Sequence, residues 1–257
     1  MAYAIENWRD NSGKHINDWL AIVGEFEALC SLATFAFENP AFPYPVIEET
    51  GVLYHGKKLA HPLLPRGKAV PNDITLDPDN QVLIISGSNM SGKSTFLRTL
   101  GINAVLAFAG SPVMAESLKI STLTIAATLR IQDSLQEGKS RFYAEILRVR
   151  QVVDLSKATT PLFFLLDEIF AGTNSSDRRL GAEAVVRSLV NTGAIGLVTT
   201  HDLTLTRIGD NLGSLGKNAH FADYFEEGVM KFDYKLHPGV VQNSNAIALM
   251  RAVGLDL

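Results

Sequence analysis

The sequence predicts an α/β layered domain with a mostly parallel sheet, preceded by a short helical segment. Two observations carry this expectation. From residue 81 onward, short β-branched runs alternate with stretches of helical periodicity. One of the strand-to-helix junctions is rich in glycine, the usual junction where a parallel sheet meets a ligand.

The elements follow in order. Ile16, Leu20, Val23, Phe26, Cys30, Ala33 and Phe37 recur every three or four positions, so residues 15–38 are expected to form a helix. Pro40, Pro43 and Pro45 end it, because proline removes a donor and cannot continue the helical ladder. Residues 46–80 are weakly patterned, with prolines and glycines throughout, and suit short strands and turns. VLIIS at 82–86 has the length and branching of a buried strand, and a helix is expected from Lys93 to Phe108. Thr and Ser alternate with Ile and Leu over 119–131, which suggests a strand or hairpin. Residues 141–156 are expected to be helical, LFFLL at 162–166 a strand, 177–191 a helix and 194–200 a third strand. FADYFEEGVMKFDYKL suggests a hairpin turning at Glu227 and Gly228, and 244–253 a last helix. The expected division is a helical segment at 1–45 and the layered domain at 46–257.

Composition narrows the function classes. With 46% hydrophobic and 19% charged residues the chain can bury a core. A net charge of −4 supplies no basic footprint for gripping a phosphate backbone unaided. The single cysteine, Cys30, excludes an internal disulfide framework and fits a reducing compartment. Uninterrupted apolar runs fall short of the roughly 18 residues a spanning helix needs, and Glu6, Arg9 and Asp10 break up any leader-like start. A cytoplasmic protein with no membrane segment is the expectation.

GSNMSGKST at 87–95 fits the spacing G-x-x-x-x-G-K-[ST] between a strand and a helix. The spacing has a mechanical reason. Gly87 and Gly92 allow close backbone approach, and the amides of Ser88, Asn89, Met90, Ser91 and Thr95 can point inward at an anion beside a helix N-terminus. Lys93 would reach the terminal phosphates and the Ser94 hydroxyl would ligate Mg²⁺. LFFLLDE then ends a buried strand in Asp167 and Glu168, at the sheet edge where ligands gather. Asp167 suits a hard cation, and Glu168 suits polarising a water. VTTH ends the next strand in His201, which could sense a phosphate or serve the fold alone. A P-loop nucleoside-triphosphatase fold that uses ATP and Mg²⁺ is the expectation.

An ordered set of segments resembles the ATPase domain of the MutS mismatch-repair family: AHPLL, VPND, GSNMSGKST, EGKSRF, LLDEIFAGT, TTH and NAHF. The resemblance runs over roughly residues 58–255, and the preceding helix resembles the tail of that family's core helices. It implies an ABC-type ATPase in which Asn89 contacts nucleotide phosphate and His201 acts as a switch. Ser140 falls on the signature serine that acts in trans in a homodimer, while also able to cap the following helix. Tyr234 falls where the family often places a histidine that stacks on adenine, and its ring could serve likewise, although a plain hairpin tyrosine fits too; Val70 would line the other side. The family further implies DNA-repair functions through regions mostly outside this chain. The sequence is expected to be a fragment or a short relative, because neither a mismatch-reading domain nor a closing helix-turn-helix is present.

The chain departs from the family at Ser88 and Ser91, at Arg141 and at Phe170-Ala171-Gly172. These changes suggest a divergent branch and bear on turnover. The competing expectations are a regulatory or scaffold module that binds nucleotide with little hydrolysis, and a subunit of another ABC-class machine. The latter would carry an LSGGQ-type signature in place of GKSRF.

Overall fold

The computed structural model describes residues 2–65, 67–129, 141–226 and 229–241. The expected helix at 244–253 and the turn at 227–228 lie outside the described residues. The chain divides into two compact units, residues 1–42 and 43–257.

In the first unit, α1 (Ala2–Ser12) passes through a single 3₁₀ turn at Gly13–His15 into α2 (Ile16–Glu38). The helix therefore begins earlier than periodicity predicts, since the few apolar residues of 2–12, among them Tyr3, Ile5 and Trp8, are interrupted by polar and charged ones. The Asn39 side chain donates to the Phe35 carbonyl at 2.7 Å, closing the C-terminal end before Pro40. No residue of either helix is buried, and Trp19, Leu20, Val23 and Phe26 are exposed. By length and composition the helix Ala2–Glu38 would also suffice to cross a membrane. Counting uninterrupted apolar residues misses this, because Glu25 and Glu27 break the run without making it polar. One such helix is weak grounds for a membrane span.

The second unit holds two sheets. The smaller has the order β1 (Val46–Glu48), β5 (Ser117–Ser121), β2 (Tyr54–Leu59), β3 (Asn72–Leu76). The larger has the order β10 (Val229–Pro238), β9 (Gly216–Glu226), β4 (Val82–Ser86), β8 (Ile195–Thr200), β7 (Leu162–Asp167), β6 (Thr124–Thr128). Its pairings are parallel except for the β9/β10 hairpin. The alternating stretch at 119–131 is thus not a hairpin. Its halves are β5 and β6, which join different sheets, and β6 runs parallel to β7.

Burial on both faces explains the near-continuous apolar runs. Leu83, Ile85, Phe163, Leu165 and Leu197 face α3 (Lys93–Phe108) and the smaller sheet. Val82, Ile84, Phe164, Leu166 and Val198 face the opposite core, with α4 (Arg141–Leu155) and α5 (Ser175–Asn191). Crossovers place β8 between β4 and β7, in register, so that Ser86 pairs with Thr200 and Asp167 with Thr199. Three strand ends therefore meet at one edge. This is the layered fold of a P-loop ATPase domain, as the sequence predicts.

Candidate functional site

Residues 87–92 leave β4 and turn into α3 through backbone that side chains rarely adopt. Gly87 has φ 151°, Met90 70° and Gly92 108°. A Cβ on Gly87 would stand 2.8 Å from Ser91 Oγ and 2.9 Å from the Phe221 carbonyl, so the loop closes only with glycine there. Ser91 is fully buried beneath the loop, and the hydroxyls of Ser88 and Ser91 have no hydrogen-bond partner. Unpaired buried polar atoms are costly, so the loop carries these two hydroxyls at the expense of stability.

Lys93 opens α3 and is almost wholly enclosed. Its ammonium donates to the carbonyls of Gly87 and Ser88, each at 2.9 Å, and stands 3.6 Å from Glu168 Oε1. Burial pushes its pKa below the ordinary lysine value, while Glu168 and Asp167 pull in the other direction. Ser94 Oγ donates to Asp167 Oδ1 at 3.0 Å, and Thr199 Oγ1 donates to the same oxygen at 2.6 Å. The Glu168 amide donates to Thr199 Oγ1 at 3.2 Å, and His201 Nδ1 lies 3.4 Å from Glu168 Oε1. Parallel register brings all this together: β4 delivers the loop, β7 the two carboxylates and β8 the threonine and histidine.

Glu168 and Phe170 both have left-handed backbone, φ 49° and 59°. Each such residue costs roughly 1–3 kcal/mol and persists only where its surroundings impose it.

A cleft of about 380 Å³ runs from this edge toward the hairpin. Asn89, Met90, Gly92, Lys93, Ser94, Thr95 and Glu168 line it, together with Val70 and Tyr234. Tyr234 also has positive φ, 55°, and a Cβ on Gly92 would meet its ring at 3.2 Å. Gly87, Ser88 and Ser91 form the loop beneath this lining, and Asp167 and His201 reach it through Ser94 and Glu168. Ser140 lies outside the described residues.

Sequence reasoning missed two supporting residues. Asn72 donates to the carbonyls of Val70 and Tyr234 at 3.3 and 3.0 Å and accepts from the Leu236 amide at 2.7 Å, joining these two parts of the cleft's lining. Thr199 orients Asp167 and the Glu168 backbone. The VTTH strand end was visible in the sequence; its pairing with β7 was not.

The donor set fits Mg²⁺, which takes hard oxygen ligands, needs few from protein and keeps water or phosphate for the rest. Among the described residues no cluster of three or more His, Cys, Asp or Glu side chains offers a cage for a metal with more protein ligands. The two loop glycines, the buried ammonium and the cleft beyond them likewise fit a nucleoside triphosphate.

Residues 83–256 match MutS domain V. The DNA mismatch repair protein MutS of Exiguobacterium sp. is 36% identical over 231 residues, covering 88% of this chain and 27% of the relative. Those of Shouchella clausii and Methanococcoides burtonii are each 33% identical, covering 91% of this chain and 27% of each relative. This chain thus spans about a quarter of the length of the curated relatives it matches. With two thirds of its residues in that one match, laid over the loop and strand ends just described, the chain belongs to the MutS family by its domain V.

Proposed function

We propose that the chain binds Mg·ATP in this cleft and hydrolyses it, as the ATPase domain of a MutS-type protein. The observation that carries the proposal is the meeting of Lys93, the Ser94–Asp167 pair, Glu168 and His201 at one sheet edge. Phosphoryl transfer to water asks a protein chiefly for positioning and charge stabilisation. The amides of residues 87–95 and the Asn89 side chain cradle phosphate oxygens, and Lys93 neutralises the terminal ones. Ser94 and Asp167 hold Mg²⁺, which when bound offsets the charge on the transferring phosphate. Glu168 orients and deprotonates the attacking water, and His201, beside it, responds to the terminal phosphate. Tyr234 and Val70 enclose the base.

The same reading extends to the longer protein. Residues 1–45 are the end of a helical core domain and 46–257 the ATPase domain. A second copy docks on the ATPase face and supplies Ser140 to the site in trans. Nucleotide state thereby couples to dimerisation and, through other regions, to DNA. Mismatch repair is the setting the relatives' names support, and a cytoplasmic location without a membrane segment belongs to the same proposal.

Glu168→Gln tests the catalytic assignment. It keeps the side chain's size and its acceptor oxygen while removing the base, so ATP binding should persist and turnover fall by at least about tenfold. Undiminished turnover would remove Glu168 from the role. A nucleotide-binding scaffold, by contrast, would show negligible turnover in the parent chain with or without DNA.

A further inference from the structure

The segment after Glu168 is held by charged side chains from two helices. Phe170 takes charged partners on both sides of its backbone. Its amide donates to the buried Glu145 carboxylate of α4. Its carbonyl accepts from Arg178 Nε of α5 at 3.1 Å. Arg178 Nη2 donates in addition to the carbonyls of Ala171 at 3.3 Å and Thr173 at 3.0 Å. Nη1 reaches Asp202 Oδ2 at 3.4 Å, on the residue that follows His201.

An arginine in the first turn of a helix faces the positive end of the helix dipole, so α5 itself gains nothing from it. Three loop carbonyls and a carboxylate, all within reach of one planar fork, give it a different purpose. Glu168 and Phe170 are both left-handed, and only Ile169 lies between them. Such a turn relaxes unless neighbouring groups over-determine it.

We propose that Arg178 is a positioning residue for Glu168. Its guanidinium gathers the carbonyls of Phe170, Ala171 and Thr173 while Glu145 holds the Phe170 amide from the other side. Together they fix the left-handed turn that aims the Glu168 carboxylate into the cleft. Through Asp202 the same fork ties that turn to the strand end bearing His201. Glu145 lies on the helix that follows the segment containing Ser140, so a shift of α4 would be felt at Glu168. The inference rests on the reading of Glu168 as the group that activates water.

The full chain carrying Arg178→Ala, Arg178→Lys, Glu145→Ala or Glu145→Gln tests it, with Mg·ATP affinity by calorimetry and steady-state turnover measured on each. Arg178→Ala and Glu145→Ala should lower kcat by about tenfold or more while the ATP dissociation constant stays within about threefold. Arg178→Lys keeps the charge without the fork and should fall between. Glu145→Gln keeps an acceptor oxygen for the amide and should restore turnover to within about threefold of the parent. Where Arg178→Ala does not fold, Arg178→Lys carries the comparison. Unchanged kcat in the Arg178 variants, or loss of kcat and affinity in parallel, would overturn the proposal. If Glu168→Gln turns over normally, the base assignment falls and this inference with it. If Glu168→Gln is dead and Arg178→Ala is not, only this inference falls.

Discussion

At the scale of single residues, Lys93 shows how function is set against stability. Its ammonium is nearly removed from water, and burial outweighs the pull of Glu168 and Asp167 to leave its pKa low. A desolvated charge of this kind adds little to folding, because the desolvation cost opposes the contacts it makes. Lys93→Met keeps the aliphatic stem and removes the charge. It should leave the unfolding midpoint within about 3 °C of the parent, while weakening Mg·ATP binding by at least about tenfold, a loss of charge-assisted phosphate contacts. Retained affinity in a calorimetric titration would exclude Lys93 from the site. Asp202 offers a test by pH. Its burial works against the charged form, but the Thr204 hydroxyl and amide, with Arg178, outweigh it and hold the carboxyl below its ordinary pKa. A lowered folded-state pKa means a contribution present above the unfolded pKa of about 3.9 and lost as pH falls through the folded one. Asp202→Asn should therefore cost about 1 kcal/mol near pH 7, and in urea melts the difference from the parent should shrink as pH falls below about 3.9. A gap that is independent of pH would rule the carboxylate out as its source. The phosphate-loop residues and Asp167-Glu168 were legible in the sequence because their chemistry is written at fixed local spacing. Arg178 was not, since its partners are loop carbonyls that carry no side-chain signature.

At the scale of elements, the three central strands explain why the site forms. Crossover connections make their pairing parallel and bury both faces, so the strand ends line up at one edge. These strands and the helices α3, α4 and α5 could be read from the sequence to within a few residues, because length and periodicity are local properties. The smaller sheet could not. Its strands run three to six residues and mix charged with apolar positions, and which strands pair is decided by segments far apart in the chain. The hairpin of β9 and β10 was legible, but its register shift between Phe232 and Leu236 was not. That irregularity presents Tyr234 to the cleft, and Asn72 holds it from a distant strand. Stacking of a base on an aromatic ring is worth about 1–3 kcal/mol, so Tyr234→Ala should weaken ATP by about tenfold. Binding of inorganic tripolyphosphate should be unchanged. Equal loss for both ligands would mean that the ring supports the phosphate loop and makes no contact with a base.

At the scale of the whole molecule, two units do different things. Residues 43–257 contain both apolar cores and every described member of the cleft. The helices of the first unit, Ala2–Ser12 and Ile16–Glu38, expose apolar side chains and bury none among the described residues. Family membership connects this layout to proteins more than three times as long. The account's central claim is narrower and belongs to this chain: a triphosphate and a metal bind where three strand ends and one loop converge. Thermal unfolding with and without Mg·ATP measures it directly. At a hundredfold excess over the dissociation constant, binding should add about 2.7 kcal/mol and raise the midpoint by about 5–10 °C. The same addition should raise the midpoint of Lys93→Met by about half as much or less. No shift in the parent, or an equal shift in both proteins, would contradict the account.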